Sequence, residues 1–136
     1  MDLNLPEVAM DVNGDKLVSG GFIIASGTNS SMTENFSNGS TQYSVLFRSN
    51  SSQSANTIFH IEDAEGNDII TFAPERRYYS MLFTSDEITN GITYSLYTGG
   101  TSTGNNVDGV YIDGTYSGGT LKTTFTLNGM INTVWY

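Results

Sequence analysis

The sequence predicts an all-β protein, and three observations carry that reading. Ser, Thr, Asn and Gly supply 16, 17, 13 and 15 of the 136 residues. Eight Tyr, seven Phe and those seventeen Thr favour strands, and the fifteen Gly favour turns. Apolar and polar residues alternate with period two in several short segments separated by turn signals. The Ala, Leu, Glu and Lys that sustain soluble helices are scarce. The expected architecture is an antiparallel β-sandwich of about eight strands. It occupies residues 11–136 as a single β domain, preceded by an N-terminal arm over residues 1–10.

Each element has a local reason. Residues 17–25 form an apolar stretch broken by the Gly20–Gly21 pair. Ser26 to Ser40 is nearly all Ser, Thr, Asn and Gly and predicts a long loop, functional or mobile. Over 42–48, Tyr43, Val45 and Phe47 alternate with Gln42, Ser44, Leu46 and Arg48. Phe59 and Ile61 share one face of the next strand, leaving His60 on the outward parity. Asp63 to Asn67 is the turn of a hairpin whose return strand carries Ile70 and Phe72 inward. Pro74 ends that strand because it cannot donate to a ladder. Strands follow over 78–84 and 92–98, with a capped turn at Thr84–Ile88 between them. A Gly- and Tyr-rich edge segment spans 107–116. Leu121, Thr123, Phe125 and Leu127 then alternate along 120–127, and residues 130–136 make a last strand. The expected core is Tyr43, Val45, Phe47, Phe59, Ile61, Ile70, Phe72, Leu82, Tyr94, Leu96, Leu121, Phe125 and Leu127.

Charge and composition exclude several function classes. Fourteen acids against five bases give a net charge of −9. No basic stripe is available to displace counterions from a phosphate backbone, so nucleic acid is not an expected partner. Anionic membrane surfaces are disfavoured for the same reason. No apolar run approaches the roughly 20 residues that span a bilayer, so membrane insertion is not expected. The absence of Cys removes disulfides, thiolate metal sites and a Cys nucleophile. Met1 to Met10 lacks a basic region and an apolar core, so a secretion leader is expected to be absent from this chain.

Residues 12–25 resemble one rung of a right-handed parallel β-helix, a polar turn leading into Gly20-Gly-Phe-Ile-Ile-Ala25. The stretches Ser40-Thr-Gln-Tyr-Ser-Val-Leu-Phe47, Glu62-Asp-Ala-Glu-Gly-Asn67 and Ile69-Ile-Thr-Phe-Ala-Pro74 follow in order. Thr93-Tyr-Ser-Leu-Tyr-Thr-Gly-Gly100, Gly114-Thr-Tyr-Ser-Gly-Gly119 and Thr124-Phe-Thr-Leu127 complete the set. Together they resemble the last rung and C-terminal β cap of the secreted carbohydrate-binding β-helix proteins of anaerobic bacteria. That family binds cellulose and acidic sugars. The resemblance implies an extracellular or cell-surface location and one β-helix-like rung on the N-terminal side. It implies a polysaccharide partner, acidic sugars included, and calcium as the associated ion. Calcium and sugar binding in that family go with the stacked rungs, of which this chain keeps at most one.

Two functions from different classes follow. The first is a carbohydrate-binding or cell-surface module without catalytic activity. Tyr and Trp faces stack on the apolar C–H face of pyranose rings. The expected sugar-binding residues are Tyr79, Tyr97, Tyr111 and Tyr116. The adjacent Arg76 and Arg77 join them, because guanidinium forks match carboxylates. The second is a structural subunit. A cap separated from its β-helix has an open edge, and strand addition from identical subunits would build chains or filaments. Leu3, Leu5 and Val8 of the N-terminal arm would then form the exchanged strand.

Asp11, Asn13 and Asp15 are the expected metal ligands, since oxygen donors at alternate positions suit Ca²⁺. Lys16 and Phe22 occupy the positions where an EF-hand needs Gly and Glu, so the pattern is not an EF-hand. Glu62, Asp63, Glu65 and Asp68 surround one hairpin, where acids cap a turn or hold a cation. His60 is the only histidine, and no G-x-S-x-G nucleophile elbow is present. The chain is therefore read as non-enzymatic.

Overall fold

The computed structural model describes residues 8–136. It is all-β, with twelve strands among the described residues. They are β1 (Ile23–Gly27), β2 (Ser44–Gln53), β3 (Phe59–Asp63), β4 (Asp68–Phe72), β5 (Tyr78–Thr84) and β6 (Thr93–Thr98). The remainder are β7 (Thr101–Ser102), β8 (Asn105–Val107), β9 (Val110–Ile112), β10 (Tyr116–Ser117), β11 (Thr120–Thr126) and β12 (Ile131–Trp135). The excess over the expected number comes mostly from the 101–117 region. The sequence predicts one short edge strand or bulged ribbon over 107–116, and four strands of two or three residues form across 101–117 instead. No helix of the described residues is long and apolar enough to cross a membrane.

The chain divides into two compact units. The first comprises residues up to Ser52, Tyr78–Gly91 and Leu127–Tyr136. Its sheet has the order β1-β5-β2-β12. β1 runs antiparallel to β5, with Ala25 opposite Leu82. Segment 12–25 thus ends in an antiparallel edge strand, whereas the rungs of a β-helix stack in parallel. β12 pairs with β2 in parallel, with Val134 opposite Phe47. Alternation reports which face a side chain takes but not strand direction, so this pairing was invisible in the sequence.

Val18, Phe36, Leu46 and Leu82 form a buried cluster, with Ala9, Met10, Ile23 and Ile131 packed against it. Burying each such side chain contributes about 1.5–3 kcal/mol. Phe36 explains why the Ser/Asn-rich loop is packed instead of loose. It anchors the loop in this core, while Ser37 N–H donates to the Lys16 carbonyl at 2.8 Å. Lys16 Nζ also pairs with Glu34 at 2.7 Å, and Asn35 Nδ2 donates to the Asn132 carbonyl at 2.7 Å.

The second unit comprises Gln53–Arg77 and Ile92–Thr126. Its main sheet has the order β11-β6-β3-β4-β9-β8, and β10 and β7 form a separate two-stranded ribbon. The β3–β4 hairpin forms as the sequence predicts. Asp63 Oδ1 accepts the Glu65 and Asn67 N–H groups at 2.9 Å each, and Gly66 takes φ 86°. Ile61, Ile70 and Leu96 lie on the inner face with Phe59 and Tyr94, all buried.

Three core expectations fail. Leu121 is 51% exposed. A register shift between Leu121 and Thr123 pairs Leu121 with Tyr97 but Thr123 with Leu96. The bulge therefore turns Leu121 to the face opposite Phe125. Tyr43 and Phe72 are only half-buried.

Candidate functional site

The site lies on the outer face of the second unit's sheet. His60 and Glu62 sit two residues apart on β3 and share that face. His60 is opposite Thr71 on β4 and Tyr97 on β6. On β4 a second register shift follows: Ile61 pairs with Ile70, but Glu62 pairs with Asp68. A regular ladder would set Ile69 beside Glu62. The bulge skips Ile69 and puts the Asp68 carboxylate there.

His60 is fully buried. Its Nδ1 is 2.8 Å from Thr71 Oγ1. Its Nε2 is 3.1 Å from Glu62 Oε2 and 3.6 Å from Asp68 Oδ1. One atom from each of the three residues lies within 4.8 Å of the others. The outward parity of His60 was legible, but its burial was not. The cover comes from the β7–β10 ribbon, which carries Tyr116. The Tyr116 ring stacks on the imidazole with centroids 3.8 Å apart. Tyr97 closes the flank, 6.0 Å from His60 and 6.2 Å from Tyr116.

The ribbon is held in place by small residues and by the phenol. Tyr116 Oη donates to the Gly99 carbonyl at 2.7 Å. A Cβ at Gly119 would overlap that hydroxyl. Gly100 has φ 78°, and a Cβ there would meet the Ser117 carbonyl. Two of the glycines that punctuate the sequence thus let the ribbon close over His60.

Above the cluster opens a polar cleft of about 360 Å³, lined by Glu62, Gly66, Asn67, Asp68, Gly114, Thr115 and Tyr116. Burial, then the charges of Glu62 and Tyr97, push the Tyr116 phenol up to about 12. Burial also raises Tyr97, helped by the Glu62 charge and a hydrogen bond to it. Both phenols therefore stay protonated, as donors, across the physiological range. Asp63 is held below its ordinary value by the Asn67 side chain and by backbone N–H groups of the turn. The cleft can accept hydrogen bonds through two carboxylates, donate through an amide, and offer an aromatic wall. At its floor Glu62 and Asp68 converge with the buried His60, three side chains that can also hold a cation.

The residues expected from sequence distribute as follows. Tyr116 lines the cleft and Tyr97 stands beside it. Tyr111 is half-buried on β9, away from the lining set. Arg76 and Arg77 are exposed at the turn before β5. Tyr79 is half-buried on β5 of the first unit. Asp11, Asn13 and Asp15 are exposed in a segment without regular structure. Val8 is half-buried, and a Cβ on Gly27 would meet its backbone and that of Ala9. Leu3 and Leu5 lie outside the described residues. Sequence reasoning grouped Glu62 and Asp68 but left out His60. The signal was His60-x-Glu62 on a strand entering an acid-rich hairpin.

Comparison of the chain with protein-family models, with curated proteins and with solved structures finds no match.

Proposed function

We propose that the chain is a non-catalytic carbohydrate-binding module of an extracellular or cell-surface protein, and that the cleft over β3 and β4 takes the sugar. The observation that carries this reading is the cleft's lining. Carboxylate acceptors (Glu62, Asp68) and an amide (Asn67) stand beside the Tyr116 ring. Sugar hydroxyls need in-plane donors and acceptors, and the C–H face of a pyranose needs an aromatic wall. The net charge of −9 favours neutral glycans, unless a cation stands between the carboxylates and an acidic one.

Affinity electrophoresis of the full chain through gels containing single soluble polysaccharides tests the reading. Retardation by one glycan that is weakened in Asn67→Ala and Tyr116→Ala supports it. Unchanged mobility in every gel, or retardation indifferent to both substitutions, overturns it.

Self-assembly by strand addition is a second reading, and one observation favours it: β12 is the last strand of its sheet. An edge strand presents unpaired backbone groups to another chain. Asn35 already occupies one of them, the Asn132 carbonyl. Light scattering before and after deletion of residues 1–7 separates the readings. Particles that grow with concentration and vanish on deletion support assembly. A monomer throughout removes it.

A further inference from the structure

We propose that His60, Glu62 and Asp68 bind one divalent first-row transition-metal ion of the zinc class, through Nε2, Oε2 and Oδ1. The proposal stands whether or not a glycan binds in the cleft.

Distance is the first argument. Four-coordinate zinc with bonds of about 2.1 Å sets its ligand atoms about 3.4 Å apart. The two contacts of Nε2, at 3.1 and 3.6 Å, bracket that separation. A proton on Nε2 serves Glu62 at hydrogen-bond length but leaves Asp68 too far for a hydrogen bond. A divalent ion among the three atoms serves all of them. It also offsets the repulsion of two carboxylates on a strongly acidic chain.

Placement is the second. Metal-binding imidazoles are oriented by a partner on the other ring nitrogen. Thr71 Oγ1 fills that role at Nδ1, and the stacked Tyr116 ring fixes the imidazole plane. The imidazole is fully buried, so its aim at the carboxylates is set by packing. The bulge that skips Ile69 is what brings Asp68 into the set. Bulges re-aim side chains in this way beside functional sites. Glu62 and Asp68 also line the cleft, so the carboxylate side of the cluster is open for water or a ligand atom to complete the coordination, while His60 closes it from the buried side.

The donor set selects the ion. Calcium takes six to eight oxygen ligands, and an imidazole nitrogen at the centre of a site is foreign to it. One imidazole with two carboxylates suits zinc and its neighbours.

The test uses the full chain after chelator treatment and dialysis, titrated with zinc chloride by calorimetry and thermal unfolding. His60 is the sole histidine, so its imidazole resonances report the site without ambiguity. Zinc is expected to bind with a stoichiometry of one, raise the melting temperature and shift the His60 Nε2 signal. Calcium chloride at the same concentration should do none of these. Glu62→Gln and Asp68→Asn, both at partly exposed positions, should each weaken zinc at least about tenfold. Glu75→Gln, outside the cluster, should not. Because His60→Gln removes a buried ring and can fail to fold, the carboxylate variants decide the matter. No zinc binding, equal binding in those two variants, or an equal response to calcium overturns the proposal.

Discussion

His60 and Tyr116 lie face to face, with ring centroids 3.8 Å and planes 23° apart, although 55 residues separate them in the chain. The stack joins the strand that carries the site to the ribbon that covers it. An aromatic pair of this kind adds about 0.5–1.5 kcal/mol beyond its area. Tyr116→Phe keeps the stack and loses only the bond to the Gly99 carbonyl. It should cost about 1 kcal/mol in urea unfolding. Tyr116→Ala should cost more, and should open His60 to solvent exchange. Equal costs for the two variants would show that the ring contributes nothing.

Gly119→Ala probes the same cover from the opposite side. The added Cβ would overlap the Tyr116 hydroxyl, which stacking and the Gly99 bond keep from swinging away. A loss of about 1–3 kcal/mol is expected, the usual cost of overpacking. A displaced Tyr116 resonance should accompany it. Wild-type stability and unchanged Tyr116 shifts would show that the ribbon gives way freely.

Alkaline pH should destabilise the chain. Tyr116 and Tyr136 are both pushed up to about 12, from an ordinary value of 10. Between those values the unfolded chain has released these protons while the folded chain retains them. The unfolded state then binds fewer protons, so stability falls as pH rises. The contribution is complete below about pH 10 and lost by about pH 12. Phenolate absorbance should show Tyr116 and Tyr136 among the late-ionising tyrosines of the folded chain, with one such group lost in Tyr116→Phe and another in Tyr136→Phe. Uniform titration near pH 10 would contradict the burial of both.

The strands were legible because alternation survives in sequence wherever a face is buried, as along Phe59 and Ile61 or Tyr94 and Leu96. The Asp63–Asn67 turn was legible because side-chain capping and a positive-φ glycine leave a local signature. Leu121 was misplaced because a bulge breaks period two without a marker of its own. The site was half legible for a related reason. Glu62 and Asp68 stood out as charges, but the fit of Asp68 beside His60 depends on another bulge. The burial of His60 depends on a ribbon more than 40 residues downstream. Tertiary cover of this kind leaves no trace in local pattern.

The first unit offers a separate check through its single tryptophan. Trp135 is 51% exposed, and the Arg48 guanidinium lies 5.1 Å from its ring centroid. Arg48 is itself held by Asn29 Oδ1, at 2.8 Å from Nε and 2.6 Å from Nη2, and by the Ser30 carbonyl at 3.0 Å. The parallel register sets Trp135 opposite Arg48, so both side chains leave the same face of the β2–β12 pair. A cation held over an exposed indole contributes about 0.5–1 kcal/mol. Arg48→Ala should lose that contact and the ties to the 29–30 loop, with a red shift of the emission and easier acrylamide quenching. Asn29→Ala frees the guanidinium but keeps it, so it should give a smaller change of the same sign. If the emission of Arg48→Ala matches wild type, the cation does not sit on the ring. If Asn29→Ala equals Arg48→Ala, positioning of the guanidinium accounts for the whole effect.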